Sequence, residues 1–354
     1  MIFNGKKIKL ELVGGSHDKN IVLKIYGLQI GTKISENKIK EEIARRKSRL
    51  FFNTQRKEED TYTILKGIEN ETIIENEIIV EFPNKAQKSD TYIKHNGFLR
   101  PGQADYANLL LEGKTKEGSG GLSGRMTLPM CFVGSIAKQM LEKKYNTTIK
   151  SRILEIYKIK DEPLSEQNLT KIKNIKENEF QTLNDDFKEK ALNTLKQTQK
   201  EKDSVGGVVE TIVFDIKPGI GEPLFDGLDN YISRLIFSIP GIKGIEFGDG
   251  FNLSKLKGSE TLDSFYLTKD NKIQTKTNHN GGINAGISNG MPIIIRTAIK
   301  PPQTIQKSIK SLNHLSNKEE IVVFEGMHDI CFANRAIPAI EGMIALAILD
   351  LDHE

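Results

Sequence analysis

Residues 277–302, T-N-H-N-G-G-I-N-A-G-I-S-N-G-M-P-I-I-I-R-T-A-I-K-P-P, constrain the fold more than any other stretch of the chain. Four glycines, Gly281, Gly282, Gly286 and Gly290, fall close together and an apolar run follows them. Glycine accepts backbone angles that side chains resist, so the first half reads as a tight loop. Bare N–H groups in such a loop can form a concave nest for an anion; the plainer reading is a turn joining two buried strands. The second half, residues 292–300, reads as a strand. Its period of two puts Ile293, Ile295, Thr297 and Ile299 on one face and Ile294, Arg296, Ala298 and Lys300 on the other. Two cations on one face, after a glycine loop, suit a phosphorylated ligand.

Composition narrows the partners. The 51 basic and 47 acidic residues leave a net charge of only +4, and aromatic residues do not interleave with the basic ones, so no nucleic-acid partner is expected. Cys131 and Cys331 stand far apart without metal-ligand spacing, which points to a reducing compartment and no disulfide framework. The N-terminus lacks a signal-peptide core, and the longest apolar run, residues 343–349, is too short to span a bilayer. These features predict a soluble cytoplasmic protein with no membrane partner. No P-loop, dinucleotide fingerprint or zinc spacing is present, and no metal site is expected.

Along the chain, strands are predicted at residues 7–13, 21–26, 62–66, 77–82 and 322–324. Two further strand-like halves, within 205–216, flank Gly206 and Gly207. Helices are predicted at 35–49 with Ser35 as N-cap, at 127–143, at 228–238, and at about 338–351 with Pro338 in the first turn. The segment at about 160–202 is polar and poor in glycine; one apolar stripe, Phe187, Ala191 and Leu195, marks it as a solvated helical excursion. Arg45, Arg46, Lys47 and Arg49 gather at the end of the first helix, either to complement its dipole or to form an anion site with Arg56.

Several motifs, in order, resemble chorismate synthase. They are Gly15-Ser16-His17 after the first strand; Thr54-Gln55-Arg56-Lys57-Glu58-Glu59-Asp60; Arg100-Pro101-Gly102-Gln103-Ala104-Asp105-Tyr106; the glycine-rich segment 118–127; residues 203–207, 219–225 and 238–251; the opening stretch; and Gly326-Met327-His328-Asp329 with Arg335-Ala336-Ile337-Pro338. The match covers most of the chain and is weakest at 150–202.

The resemblance implies an α+β fold, a β-α-β sandwich formed as one large domain over residues 1–354, and a homotetramer. It implies a lyase that eliminates phosphate from 5-enolpyruvylshikimate 3-phosphate, a 1,4-anti elimination that gives chorismate. Reduced FMN is required without net redox change: the flavin donates charge transiently, and its N5 takes the ring proton. It further implies that His17 is the general acid for the departing phosphate and that Asp329 works beside the flavin. Arg45, Arg46, Arg49, Arg56, Arg100 and Arg125 would bind the substrate's carboxylates and phosphate, since guanidinium forks match both. Ser123, Ser259, Gly286, Lys300, Thr304 and Met327 fall in slots of flavin contacts, with Lys300 near its phosphate.

Departures from the family pattern cluster at the flavin. Gln103 stands in the slot of a catalytic histidine, and an amide neither gives nor takes a proton near neutral pH. Met327 stands where the family has an arginine, and Pro302-Gln303 replace hydroxyl residues. An alternative reading is therefore a non-catalytic paralogue that keeps the fold and an anion pocket as a binding or assembly protein.

Overall fold

The computed structural model describes residues 1–47, 50–54, 59–84, 95–177, 180–324, 326 and 328–353. The chain opens with strands β1 (Ile2–Asn4), β2 (Lys9–Val13) and β3 (Asn20–Tyr26), then helix α1 (Glu36–Arg45), and strands β4 (Thr63–Lys66) and β5 (Glu77–Pro83). These strands form an antiparallel sheet in the order β1-β2-β3-β5-β4. Strict alternation builds its inner face: Ile21, Leu23 and Ile25 on β3, and Ile78, Val80 and Phe82 on β5, are buried, while their neighbours are not. Ser35 caps α1, accepting from the Lys38 N–H at 3.4 Å.

Helix α2 (Asp105–Glu112) and the long α3 (Thr127–Tyr145) follow, then β6 (Thr148–Ile156), β7 (Ile159–Lys160), α4 (Glu166–Lys173), α5 (Asp185–Lys200) and β8 (Gly207–Phe214). Next come α6 (Leu228–Ile236), β9 (Ile242–Phe247), β10 (Ile293–Ile299) and the closing α7 (Ala333–Leu351). The second sheet is also antiparallel, in the order β9-β10-β8-β6-β7. Helices α3 and α7 pack against each other; α3 also meets β3 of the first sheet, and α7 meets β6 and β8 of the second. One hydrophobic core runs through both sheets and the helices between them, giving the β-α-β sandwich. The α3–α7 crossing is close because glycine faces glycine: a Cβ on Gly134 would collide with the Cα of Gly342. Among the described residues no helix is long and apolar enough to cross a membrane.

Several sequence expectations need correction. Helix α7 begins five residues before Pro338, which sits inside it; the ring removes one hydrogen bond, and burial on every side holds the helix regardless. The strand expected in two halves around Gly206 and Gly207 is one strand that starts at Gly207, because Gly206 lies tight against the Ile299 carbonyl. The late strand runs Lys318–Val322, ending where it was expected to begin. The excursion is docked: Phe187, Ala191 and Leu195 join the main core, and Ile172 of α4 packs with Ile212 and Phe214.

The stretch at 277–302 takes the plainer reading. Gly281, Gly282, Gly286 and Gly290 all adopt positive φ: Gly286 in the turn between two-residue strands, Ile283–Asn284 and Ile287–Ser288, and the others in the turns that flank this hairpin. A Cβ on Gly286 would lie 2.8 Å from both the Glu222 carbonyl oxygen and Gly227 Cα, so the loop serves close packing. In β10 Ile293, Ile295, Thr297 and Ile299 are buried as predicted, and Ile294 of the opposite face is buried too. Arg296, however, bonds to Glu210 at 2.9 Å, reaches Glu246 at 3.4 Å and donates to the Gly248 carbonyl at 2.7 Å. Of the two cations expected to await an anion, only Lys300 does so.

Candidate active site

A cavity of about 970 Å³ is walled by connections from across the chain. Ser16 and His17 come from the β2–β3 turn, Arg46 and Lys47 from the end of α1, and Asp60 from the segment before β4. Gln103 precedes α2, Arg125 precedes α3, Lys300 and Pro302 to Thr304 follow β10, His328, Asp329 and Phe332 lead into α7, and Arg335 and Ala336 stand in its first turn. Thr127 and Ala336 also line it, so the first turns of both central helices open on the cavity. A 3-10 turn, Gly124–Met126, leads straight into α3 and is capped by Ser123, whose Oγ accepts from the Arg125 N–H at 3.3 Å; α7 has no capping side chain, and helix N-termini favour anions.

Three buried side chains form its cationic wall. Asp60, at φ 48°, bridges two guanidinium groups: its Oδ2 accepts from Arg46 Nη1 at 2.6 Å, and its Oδ1 from Arg125 Nη1. Arg46 Nε donates to Thr127 Oγ1 at 2.9 Å, and Arg125 Nε to Asn84 Oδ1 at 3.0 Å. Burial alone would push the Asp60 carboxyl up, but Arg46 and Arg125 hold it below the usual carboxylate range. The carboxylate thus keeps two like charges side by side at the cavity wall.

His17 has a fixed orientation. Ser16 Oγ donates its single hydrogen to the Gly118 carbonyl at 3.0 Å and lies 3.1 Å from His17 Nδ1. With the hydroxyl turned to Gly118, Nδ1 is placed to donate to Ser16 Oγ. Any proton that His17 delivers therefore leaves from Nε2. Gly118, at φ 57°, packs directly on the imidazole, where a Cβ would strike Cε1.

Asp329 is held by Arg335 Nη1 at 3.0 and 3.1 Å and by the Thr54 N–H at 2.9 Å. Gln103 Nε2 donates to Thr304 Oγ1 at 2.9 Å. Lys300 Nζ donates to the Gly102 carbonyl at 2.6 Å. No carboxylate lies within ion-pair distance of Lys300 among the described residues, and burial, aided by Lys243, depresses its pKa. An anion beside this ammonium would relieve both effects. Near it Ile239, Pro240 and Phe332 supply apolar wall. The residues present therefore fit a ligand that joins a flat apolar ring system to a phosphate. Among the described residues no cluster of His, Cys, Asp and Glu could hold a metal ion.

Of the residues predicted from sequence, His17, Gln103, Arg46, Arg125, Ser123, Lys300, Thr304 and Asp329 meet at this cavity. Arg45 does not: it turns into the core, 2.6 Å from Glu341 and 2.9 Å from Glu42. Arg100 is bound to Asp105 at 2.5 Å and is not part of the wall. Ser259 sits exposed on a 3-10 turn, and Gly286 is packed in its own turn; neither lines the cavity. Arg49, Arg56 and Met327 lie outside the described residues. Lys47, from the basic cluster at the end of α1, lines the cavity too, and Asp60, His328 and Arg335 do so without having been singled out. Asp60, His328 and Arg335 stand inside the quoted motifs; their signal was position within a motif, not residue type.

The model of the chorismate synthase family matches residues 8–352. A chorismate synthase of Rippkaea orientalis is 35% identical over 349 residues, covering 98% of this chain and 95% of the relative. One from Pyrococcus abyssi is 34% identical, covering 98% of this chain and 96% of its own length. A crystal structure of chorismate synthase superposes with a TM-score of 0.76 at 21% identity, covering 98% of this chain and 92% of the other, and so shares the fold.

Proposed function

The chain belongs to the chorismate synthase family, carbon–oxygen lyases of aromatic biosynthesis that act on a phosphorylated substrate, and we propose that the cavity at the first turns of its two central helices performs the elimination on 5-enolpyruvylshikimate 3-phosphate. The observation that carries this reading is the convergence of Arg46, Arg125, Lys300, His17 and Asp329 on one cavity. Arg46 and Arg125, bridged by Asp60, bind the anionic groups of the substrate with fixed guanidinium geometry. His17 keeps its Nδ1–H on Ser16 and, as the imidazolium, gives the Nε2 proton to the phosphate oxygen that departs with the C–O electron pair. Asp329, pinned by Arg335 and the Thr54 N–H, is fixed as an acceptor within the same space. Gln103 anchors Thr304 and transfers no proton. Lys300, Thr304 and Ser123 would hold reduced FMN, with Ile239, Pro240 and Phe332 as its apolar wall. When bound, the reduced flavin supplies transient electron density to the breaking bond.

The non-catalytic alternative has no observation in its favour, since the acid, the cation pair and Asp329 all remain in place. A homotetramer in a reducing cytoplasm completes the proposal. Leu224, Phe225 and Phe251, 77%, 90% and 80% exposed, leave apolar surface that association would cover. The test is anaerobic: the protein is mixed with dithionite-reduced FMN and the substrate, and chorismate absorbance and free phosphate are followed. Equal release of both is expected. No product, together with no change in the flavin spectrum, would overturn the proposal.

A further inference from the structure

Two loops distant in sequence meet behind the cavity wall. Residues 50–54 and 328–332 belong to no helix or strand, so no regular ladder holds them in place. They are knitted to each other instead. The Ile330 N–H donates to the Phe52 carbonyl at 2.8 Å, and the Thr54 N–H to Asp329 Oδ1 at 2.9 Å. Between these two bonds stands Asn53, buried, whose Nδ2 donates to the Cys331 carbonyl at 2.8 Å. A carbonyl only accepts, so this bond sets the orientation of the amide and leaves Oδ1 as its acceptor end. That Oδ1 accepts from Nδ2 of Asn334, also buried, at 3.0 Å. Asn53 Nδ2 further lies 3.4 Å from Asn334 Oδ1 and 3.5 Å from Asp329 Oδ1.

Neither asparagine lines the cavity, but the residue after each one does. Asn53 precedes Thr54, and Asn334 precedes Arg335, the two residues that hold the Asp329 carboxylate. We infer that the Asn53–Asn334 amide pair is a positioning device for Asp329: it locks the two loops in register, so that the Thr54 N–H and the Arg335 guanidinium meet the carboxylate from fixed directions. This rests on the elimination proposed above, in which Asp329 serves as an acceptor.

The physical basis is that a buried amide pair holds one arrangement. Breaking either bond leaves a donor and an acceptor with no water to replace the lost partner. Both asparagines act only through their neighbours, so their removal should be felt as misplacement of Asp329. A shift of about 1 Å in a reacting group can cost about 10²-fold in rate.

Two measurements test this. In NMR of the protein without ligands, the Thr54 amide proton, bonded to a carboxylate, should resonate downfield and move upfield in Asp329→Asn. Asn334→Ala should move it in the same direction; position 334 is far from Thr54 in sequence, so no neighbour effect enters. In turnover, Asn334→Ala should lower kcat by about 10–100-fold with KM changed less than about threefold. Asn53→Ala should act alike, and the double variant should cost less than the two losses combined, as for one unit. Asn334→Ser, whose hydroxyl keeps a donor, carries the same test in milder form if Asn334→Ala does not fold. A folded variant with wild-type kcat, or one that loses kcat with the Thr54 resonance unmoved, would contradict the inference. Absence of product from the wild type would count against the elimination itself, and the Thr54 resonance then decides the pair alone.

Discussion

At the scale of residues, neighbours in sequence take opposite roles. Arg45 and Arg46 look alike in the sequence, but one helical step turns a side chain by about 100°. That step sends Arg45 toward Glu341 in the core and Arg46 to the cavity beside Asp60. Sequence reading found the basic cluster but not this division, because the deciding partner, Glu341, lies on the closing helix. The same applies to Arg296, whose partner Glu210 is on the adjacent strand. Asp60→Asn should leave two buried guanidinium groups facing each other and cost about 3–5 kcal/mol at neutral pH, read by urea unfolding. The folded pKa of Asp60 is depressed, so its contribution is present above the ordinary aspartate value near 3.9 and lost as pH falls through the folded one. The gap between variant and wild type should therefore narrow below about pH 4. A gap that is constant with pH would refute the ion-pair account.

At the scale of elements, strands β2 to β5 of the first sheet were legible because their pattern is local, while the short β1 was not. Alternation in β3 and β5 fixes which face is buried, and Ser35 marks the start of α1. The start of α7 was not legible, since proline usually opens a helix and here lies inside one. The tight α3–α7 crossing was equally hidden, because Gly134 and Gly342 acquire meaning only when the helices meet. Alanine is ordinarily the better helix former by about 1 kcal/mol. Here Gly134→Ala should instead destabilise by about 1–3 kcal/mol, and by more than Gly342→Ala, whose Cβ would lie 3.0 Å from Gly134 Cα. Thermal unfolding of the two variants checks both sign and order, and a stabilised Gly134→Ala would contradict the packing argument.

At the scale of the molecule, two sheets enclose two central helices whose first turns open on a cavity built from loops distant in sequence. The motifs made the family and most of the cavity legible. They could not show that Gln103 is absorbed into a hydrogen bond with Thr304, or that a second imidazole stands nearby. The central claim is that the chain performs its family's elimination with glutamine at position 103. Anaerobic single-turnover formation of chorismate by the wild type and by Gln103→His, with reduced FMN saturating, tests it most directly. The account predicts product from the wild type at a rate within about tenfold of the variant. Product from the histidine variant alone would contradict it.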